Sequence, residues 1–299
     1  MRFVTAKKDD RLFVGTVNKE MTEVLDLNAT EQDAFTDKLI PESLLQCIQL
    51  GHMFEERVQQ IVKWAKQNNN NVYTLNDVEL LAPIPRPSKN VFCVGKNYAD
   101  HAIEMGSAAD IPTDVMMFSK TPTTVIATNE IVLNHRDITN QLDYEGELAV
   151  VIGKKGKGIS EDEALDYVFG YTIVNDITAR DLQARHKQFL LGKSLDTSCP
   201  MGPVIVHKSL VKQPNQLNIE TRVNDEVRQS ANTKQFIFSI EKIISVLSQG
   251  TTLEPGDIIA TGTPAGVGKG FSPPKFLQPG DVVEVTVEGI GTLSNSIEK

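Results

Sequence analysis

What this 299-residue sequence has little of narrows its function first. Its three cysteines, Cys47, Cys93 and Cys199, are far apart and in apolar or small-residue settings. No CxxC spacing occurs, which excludes a zinc ribbon or a dithiol redox motif, and an odd count of scattered thiols suits buried, reduced cysteine. No segment approaches the roughly 18 consecutive apolar residues that a membrane helix requires. The first ten residues hold Lys7, Lys8, Asp9 and Asp10 but no apolar stretch or small-residue cleavage site, so a cytoplasmic protein without a secretory signal is expected. Positive charge is also scarce: 30 Lys and Arg face 39 Asp and Glu, giving −9, and no basic run is interleaved with aromatics. Nucleic acid and membrane surfaces are therefore not expected partners.

What is present divides into three stretches. Residues 3–5 and 12–17 read as a hairpin around a polar turn, followed by apolar positions at helical spacing in 43–50 and 54–66, a small N-terminal α/β module over 1–70. The asparagine run 68–71 reads as a turn. Pro83, Pro85 and Pro87 force an extended connection over 71–90. From 91 to 299 short β-rich runs dominate (91–94, 147–152, 171–174, 204–206, 219–223, 257–260 and 282–287), with helices expected at 178–188 and 240–249. Strands that do not alternate regularly with helices indicate a β-dominated α+β fold.

Two glycine-rich segments fail as nucleotide sites. Gly268-Lys269 ends a run with the wrong spacing for a phosphate-binding loop, and Gly289-Ile290-Gly291 lacks the third glycine of a dinucleotide fingerprint. His52, His135, His186 and His207 have no metal-ligand spacing and read as structural or surface residues.

The most informative segment is Asp143-Tyr144-Glu145-Gly146-Glu147, opening an apolar run. Residues two apart on a strand share a face, so Glu145 and Glu147 project together about 6.6 Å apart along the backbone. Two such carboxylates need solvent, a basic partner or a cation between them, and a hard divalent cation meets that need. Asp176, at the end of another apolar run, is the third oxygen donor expected, with Asp143, Asp181 and Asp196 as weaker candidates. From spacing alone, a solvated strand face and an aspartate capping the next helix remain equal alternatives. His101 and Glu104 are three apart, so on a short helix they pair as a base and its orienter, or simply as a surface pair.

Five blocks in order resemble the fumarylacetoacetate hydrolase family: 94–104, 143–147, 175–183, 192–200 and 256–268. The resemblance implies a mixed β-roll fold, homodimers, and a Mg²⁺ or Mn²⁺ ion held by Glu145, Glu147 and Asp176. It also implies that His101 and Glu104 activate water and that Lys193 stabilises negative charge on the substrate. Arg180 and Gln183, three apart on one helical face, are candidates to bind a substrate carboxylate or to form a structural ion pair, and Thr261 and Thr263 are candidates to donate hydrogen bonds to that carboxylate, the alternative being that the turn's glycines merely permit its backbone shape. The N-terminal stretch resembles bacterial members of the oxaloacetate decarboxylase and acylpyruvate hydrolase type. The expected reaction is therefore metal-dependent cleavage of a carbon–carbon bond in a small 2-oxo acid through a pyruvate enolate. Isomerisation or decarboxylation of unsaturated dicarboxylates from aromatic breakdown, and a non-catalytic 2-oxo-acid-binding protein, are the alternatives.

Overall fold

The computed structural model describes residues 1–68 and 70–299; of the asparagine run read as a turn, Asn69 lies outside the described residues. Its spine is a mixed sheet whose central strands are Arg2–Lys8, Cys199–His207, Val168–Asn175, Gly146–Ile152, Ile258–Ala260 and Val91–Gly95, in that spatial order. The expected hairpin, Arg2–Lys8 with Arg11–Val17, adds to this sheet through Arg2 opposite Val206 and Phe3 opposite Ile205. Met116–Lys120 closes the far edge.

The run 146–152 is continuously apolar after Glu147 because both faces of its strand are buried, and period-two alternation divides it between two cores. Leu148, Val150 and Ile152 pack with helix Ile240–Ser248 and with a five-stranded sheet that includes Asn218–Val223, Val282–Val287 and Gly291–Ile297. Ala149 and Val151 face the other way, toward Leu44, Ile48, Phe54, Val58 and Ile61 of helices Leu44–Gln49 and His52–Asn68. Phe3, Phe54 and Phe169 join helix to sheet, with ring centroids 5.1 to 6.4 Å apart. Each buried phenyl contributes about 1.5–3 kcal/mol. All three cysteines are free and buried, and burial pushes the Cys199 thiol up to about 12.

The β-dominated α+β reading holds, with local departures. The helix expected over 178–188 is shorter, Arg180–His186, because Thr178 and Ala179 first pair with Leu142 and Asp143 as a two-residue strand. Ala179 occupies the N-cap, so Asp176 does not cap this helix, and that alternative falls away. Among the described residues no helix is long and apolar enough to cross a membrane.

Candidate active site

Glu145 and Glu147 stand at the beginning of one strand and Asp176 at the end of its antiparallel neighbour, where Gly146 lies opposite Asn175. The ladder continues past the strand ends: Asp176 N donates to Glu145 O at 2.8 Å, and Glu145 N donates to Asn175 Oδ1 at 3.0 Å. The three carboxyl groups are buried, and one oxygen from each lies within 4.8 Å of the others. A solvated strand face is thus not what this sequence builds.

Buried cations surround the acids. Lys193 Nζ bridges Glu145 Oε2 at 2.8 Å and Asp176 Oδ2 at 2.7 Å, and lies 4.8 Å from the centre of the Phe118 ring. It reaches there from a one-turn helix, Leu190–Lys193, that approaches helix Arg180–His186 closely; a Cβ at Gly192 would stand 2.7 Å from Gln183 N. Arg180 donates to Asp143 and Glu145, both at 2.8 Å, and weakly to Gln183. Burial alone would raise the Glu145 carboxyl, but Lys193 and Arg180 outweigh it and hold it at about 2. Burial, reinforced by Asp176 and Glu145, pushes Glu147 well above the carboxylate range. Without further positive charge, this setting favours the protonated form of Glu147.

Three features fit a hard divalent cation here. The donors are all oxygen. Asp176 Oδ1 is buried 2.8 Å from the Lys120 ammonium, which also donates to Ile177 O, and a carboxylate oxygen so placed keeps a lone pair for a cation. The raised Glu147 carboxyl is a group whose ionisation such a charge would favour.

His101 lies on the short helix Ala99–Glu104, with Nδ1 3.3 Å from Glu104 Oε2. Glu104 Oε1 accepts from Gly266 N at 2.9 Å, which ties this helix to the loop 262–268. The same loop donates Gly262 N to Glu147 Oε2 and Gly268 N to Asp143 Oδ1, at 2.7 and 2.6 Å. Gly262 and Gly266 have φ of 100° and 104°, values that only glycine adopts readily.

The cluster opens onto a cavity of about 400 Å³ through Glu145 and Lys193, with Glu147 and Asp176 not among its lining residues. Of the residues singled out from sequence, His101, Glu145, Arg180, Gln183, Lys193 and Thr263 line it. Glu104 supports His101 from behind. Thr261 turns away, its hydroxyl donating to Leu148 O at 2.8 Å. Among the weaker candidates, Asp181 accepts from Thr139, Asp196 is exposed, and Asp143 is fully buried as the partner of Arg180. Sequence reasoning missed Lys120, which reaches Asp176 from a distant edge strand, and Gln229, which donates to Thr263 at 2.7 Å. Neither carries a local signal. Lys269, noted only within a broken phosphate motif, also lines the cavity.

Residues 90–298 match the family described as fumarylacetoacetate (FAA) hydrolase C-terminal. Oxaloacetate tautomerase YisK of Bacillus subtilis (strain 168) is 57% identical over 301 residues, covering 99% of this chain and 100% of that protein. Among solved structures, the fumarylacetoacetate hydrolase of psychrophilic Exiguobacterium antarcticum superposes with a TM-score of 0.83 and 41% identity, over 100% of this chain and 99% of that one. The 2-hydroxyhepta-2,4-diene-1,7-dioate isomerase of Mycobacterium marinum does so with a TM-score of 0.74 and 30% identity, over 100% and 98%. On motif order, fold and overall similarity together, the chain belongs to the fumarylacetoacetate hydrolase family.

Proposed function

We propose that this enzyme interconverts the keto and enol forms of oxaloacetate by moving a proton at C3, with a divalent cation, Mg²⁺ or Mn²⁺, as its cofactor. The observation that carries the reading is a cluster of three buried carboxylates whose Glu145 opens onto the same small cavity as His101, the base of the His–Glu pair. The name and full-length similarity of the Bacillus relative support oxaloacetate as the substrate.

Glu145, Glu147 and Asp176 would hold the ion, whose Lewis acidity makes the hydrogens beside a keto group more acidic. Glu104 Oε2 against Nδ1 favours the tautomer with its proton there, leaving Nε2 of His101 to take or return the C3 proton. Lys193 offers positive charge to the developing enolate, already fixed by buried carboxylates so that little reorganisation is needed. The apolar wall of Met105, Met116, Phe118 and Phe189 keeps water from the reacting carbon.

Carbon–carbon cleavage is the second reading, supported by the likeness to the Exiguobacterium hydrolase. Losing CO₂ from oxaloacetate, or adding water at the far carbonyl of an acylpyruvate, also yields an enolate, so one site serves all three outcomes. The test adds enol oxaloacetate to metal-loaded protein and follows ketonisation by ultraviolet absorbance and pyruvate by a coupled assay. Rapid ketonisation without pyruvate supports the tautomerase, and pyruvate matched to substrate loss supports cleavage. Failure of both with Mg²⁺ and Mn²⁺ rejects the enzymatic reading.

A further inference from the structure

The cavity holds cationic groups that the proton transfer does not use. Arg180 is almost wholly buried and donates through Nε and Nη1, yet its Nη2 has no hydrogen-bond partner. Lys269 lines the same cavity, and among the described residues no carboxylate lies within ion-pair distance of its ammonium. The two are held in register by one side chain. Asp143 Oδ2 accepts from Arg180 Nε at 2.8 Å and from Lys269 N at 3.0 Å, while Oδ1 accepts from Gly268 N. With its oxygens so engaged, Asp143 fixes where both cations begin. Burial, and then the nearby Arg180, lower the Lys269 ammonium below its ordinary range, a shift that an anion between them would reverse.

The far end of a 2-oxo dicarboxylate would meet Lys269 and Arg180 here, whereas a 2-oxo monocarboxylate would leave Lys269 unmatched beside Arg180.

We infer that Lys269, with the free Nη2 of Arg180, forms the subsite for the second carboxylate of the substrate and makes the enzyme selective for 2-oxo dicarboxylates. This rests on the enolisation reading above. It separates two tasks: the acidic triad and His101 handle the keto end, and the Asp143-anchored pair recognises the far end. Lys96 also borders the cavity but is already paired with Asp110 at 3.3 Å.

The test compares oxaloacetate with 2-oxobutanoate, equal in carbon count but lacking the second carboxylate, in metal-loaded parent, Lys269→Met and Lys269→Arg. Exchange of C3 hydrogens in D₂O, read by NMR, gives kcat/KM for each acid. In Lys269→Met the ratio of oxaloacetate to 2-oxobutanoate is expected to fall about fivefold to thirtyfold, mainly through KM for oxaloacetate, because Lys269 stands at the cavity mouth where solvent weakens the pair. Lys269→Arg should keep most of the ratio. A ratio unmoved in Lys269→Met, or lowered equally in Lys269→Arg, overturns the subsite. A parent that exchanges neither acid overturns the enolisation reading instead, so the two failures are told apart.

Discussion

Lys193→Met tests how the acidic centre tolerates its own charge. In the metal-free protein the Lys193 ammonium joins Glu145 to Asp176 at 2.8 and 2.7 Å, all three side chains being buried. Removing one partner of a buried ion pair costs about 3–5 kcal/mol, because the other charge is left without compensation. Arg180 still contacts Glu145, and Lys120 still stands beside Asp176, which favours the lower end of that range. With an unfolding entropy of roughly 2.1 cal/mol/K per residue, a chain of 299 residues loses about 5 °C of Tm for about 3 kcal/mol. Thermal melts at pH 7 after chelation should show this drop. Mn²⁺ or Mg²⁺ should then raise the variant's Tm by more than the parent's, since the ion meets carboxylates that no ammonium occupies. The deficit should shrink toward pH 4, because in the parent Lys193 helps hold Glu145 at about 2, whereas in the variant the carboxyl takes up a proton more readily. A chelated variant melting within about 1 °C of the parent, or gaining no more from metal, would refute the view of Lys193 as an internal counterion.

Other expectations follow from the same geometry. Glu147 has a raised pKa, so its neutral form stabilises the metal-free fold below the ordinary value of 4.5, and that contribution is lost as pH rises toward the raised value. Glu147→Gln should therefore flatten the fall in metal-free Tm above about pH 5 and abolish the metal's stabilisation; a pH profile parallel to the parent's contradicts the assignment. Metal binding should draw the raised Glu147 pKa down, so affinity for Mn²⁺ should weaken as pH falls toward the ordinary carboxylate range, and an affinity unchanged with pH counts against Glu147 as a ligand. His101→Ala should lower kcat by about a hundredfold or more while Mn²⁺ still binds; undiminished turnover would remove His101 from the proton path. Asp143→Asn should cost stability and release Arg180, raising KM for oxaloacetate, and an unchanged KM would show that Arg180 is held by Glu145 alone.

How much was legible in the sequence depended on distance along the chain. The pattern around Glu145 and Glu147 is local, but spacing leaves a solvated strand face equally open, and the resemblance to the family is what singles out Asp176 as the third ligand. His101 and Glu104 lie within one helical turn. Lys120 was invisible because it meets Asp176 only when an edge strand crosses to the end of a central one. Asp143 was read as a spare ligand because nothing local shows that a loop 125 residues onward gives it Gly268 N. The threonines of the Thr-Gly-Thr segment looked equivalent, yet Thr261 extends the sheet and Thr263 borders the cavity, a difference set by their neighbours Leu148 and Gln229. The strand Gly291–Ile297 has little local signal, because it opens on a glycine and is rich in serine and asparagine rather than β-branched residues.

The loop 262–268 has a consequence for how this enzyme can diversify. Its amides grip an acid of the triad, the orienter of the histidine and the anchor of the arginine. A displacement of that backbone is therefore felt at all three together, and natural variation there has little room. The opposite wall of Met105, Met116, Phe118 and Phe189 is shaped by side-chain volume. New substrates are most cheaply admitted by resizing that wall and by exchanging Lys269 just beyond the loop, which leaves the chemistry standing while its clientele changes.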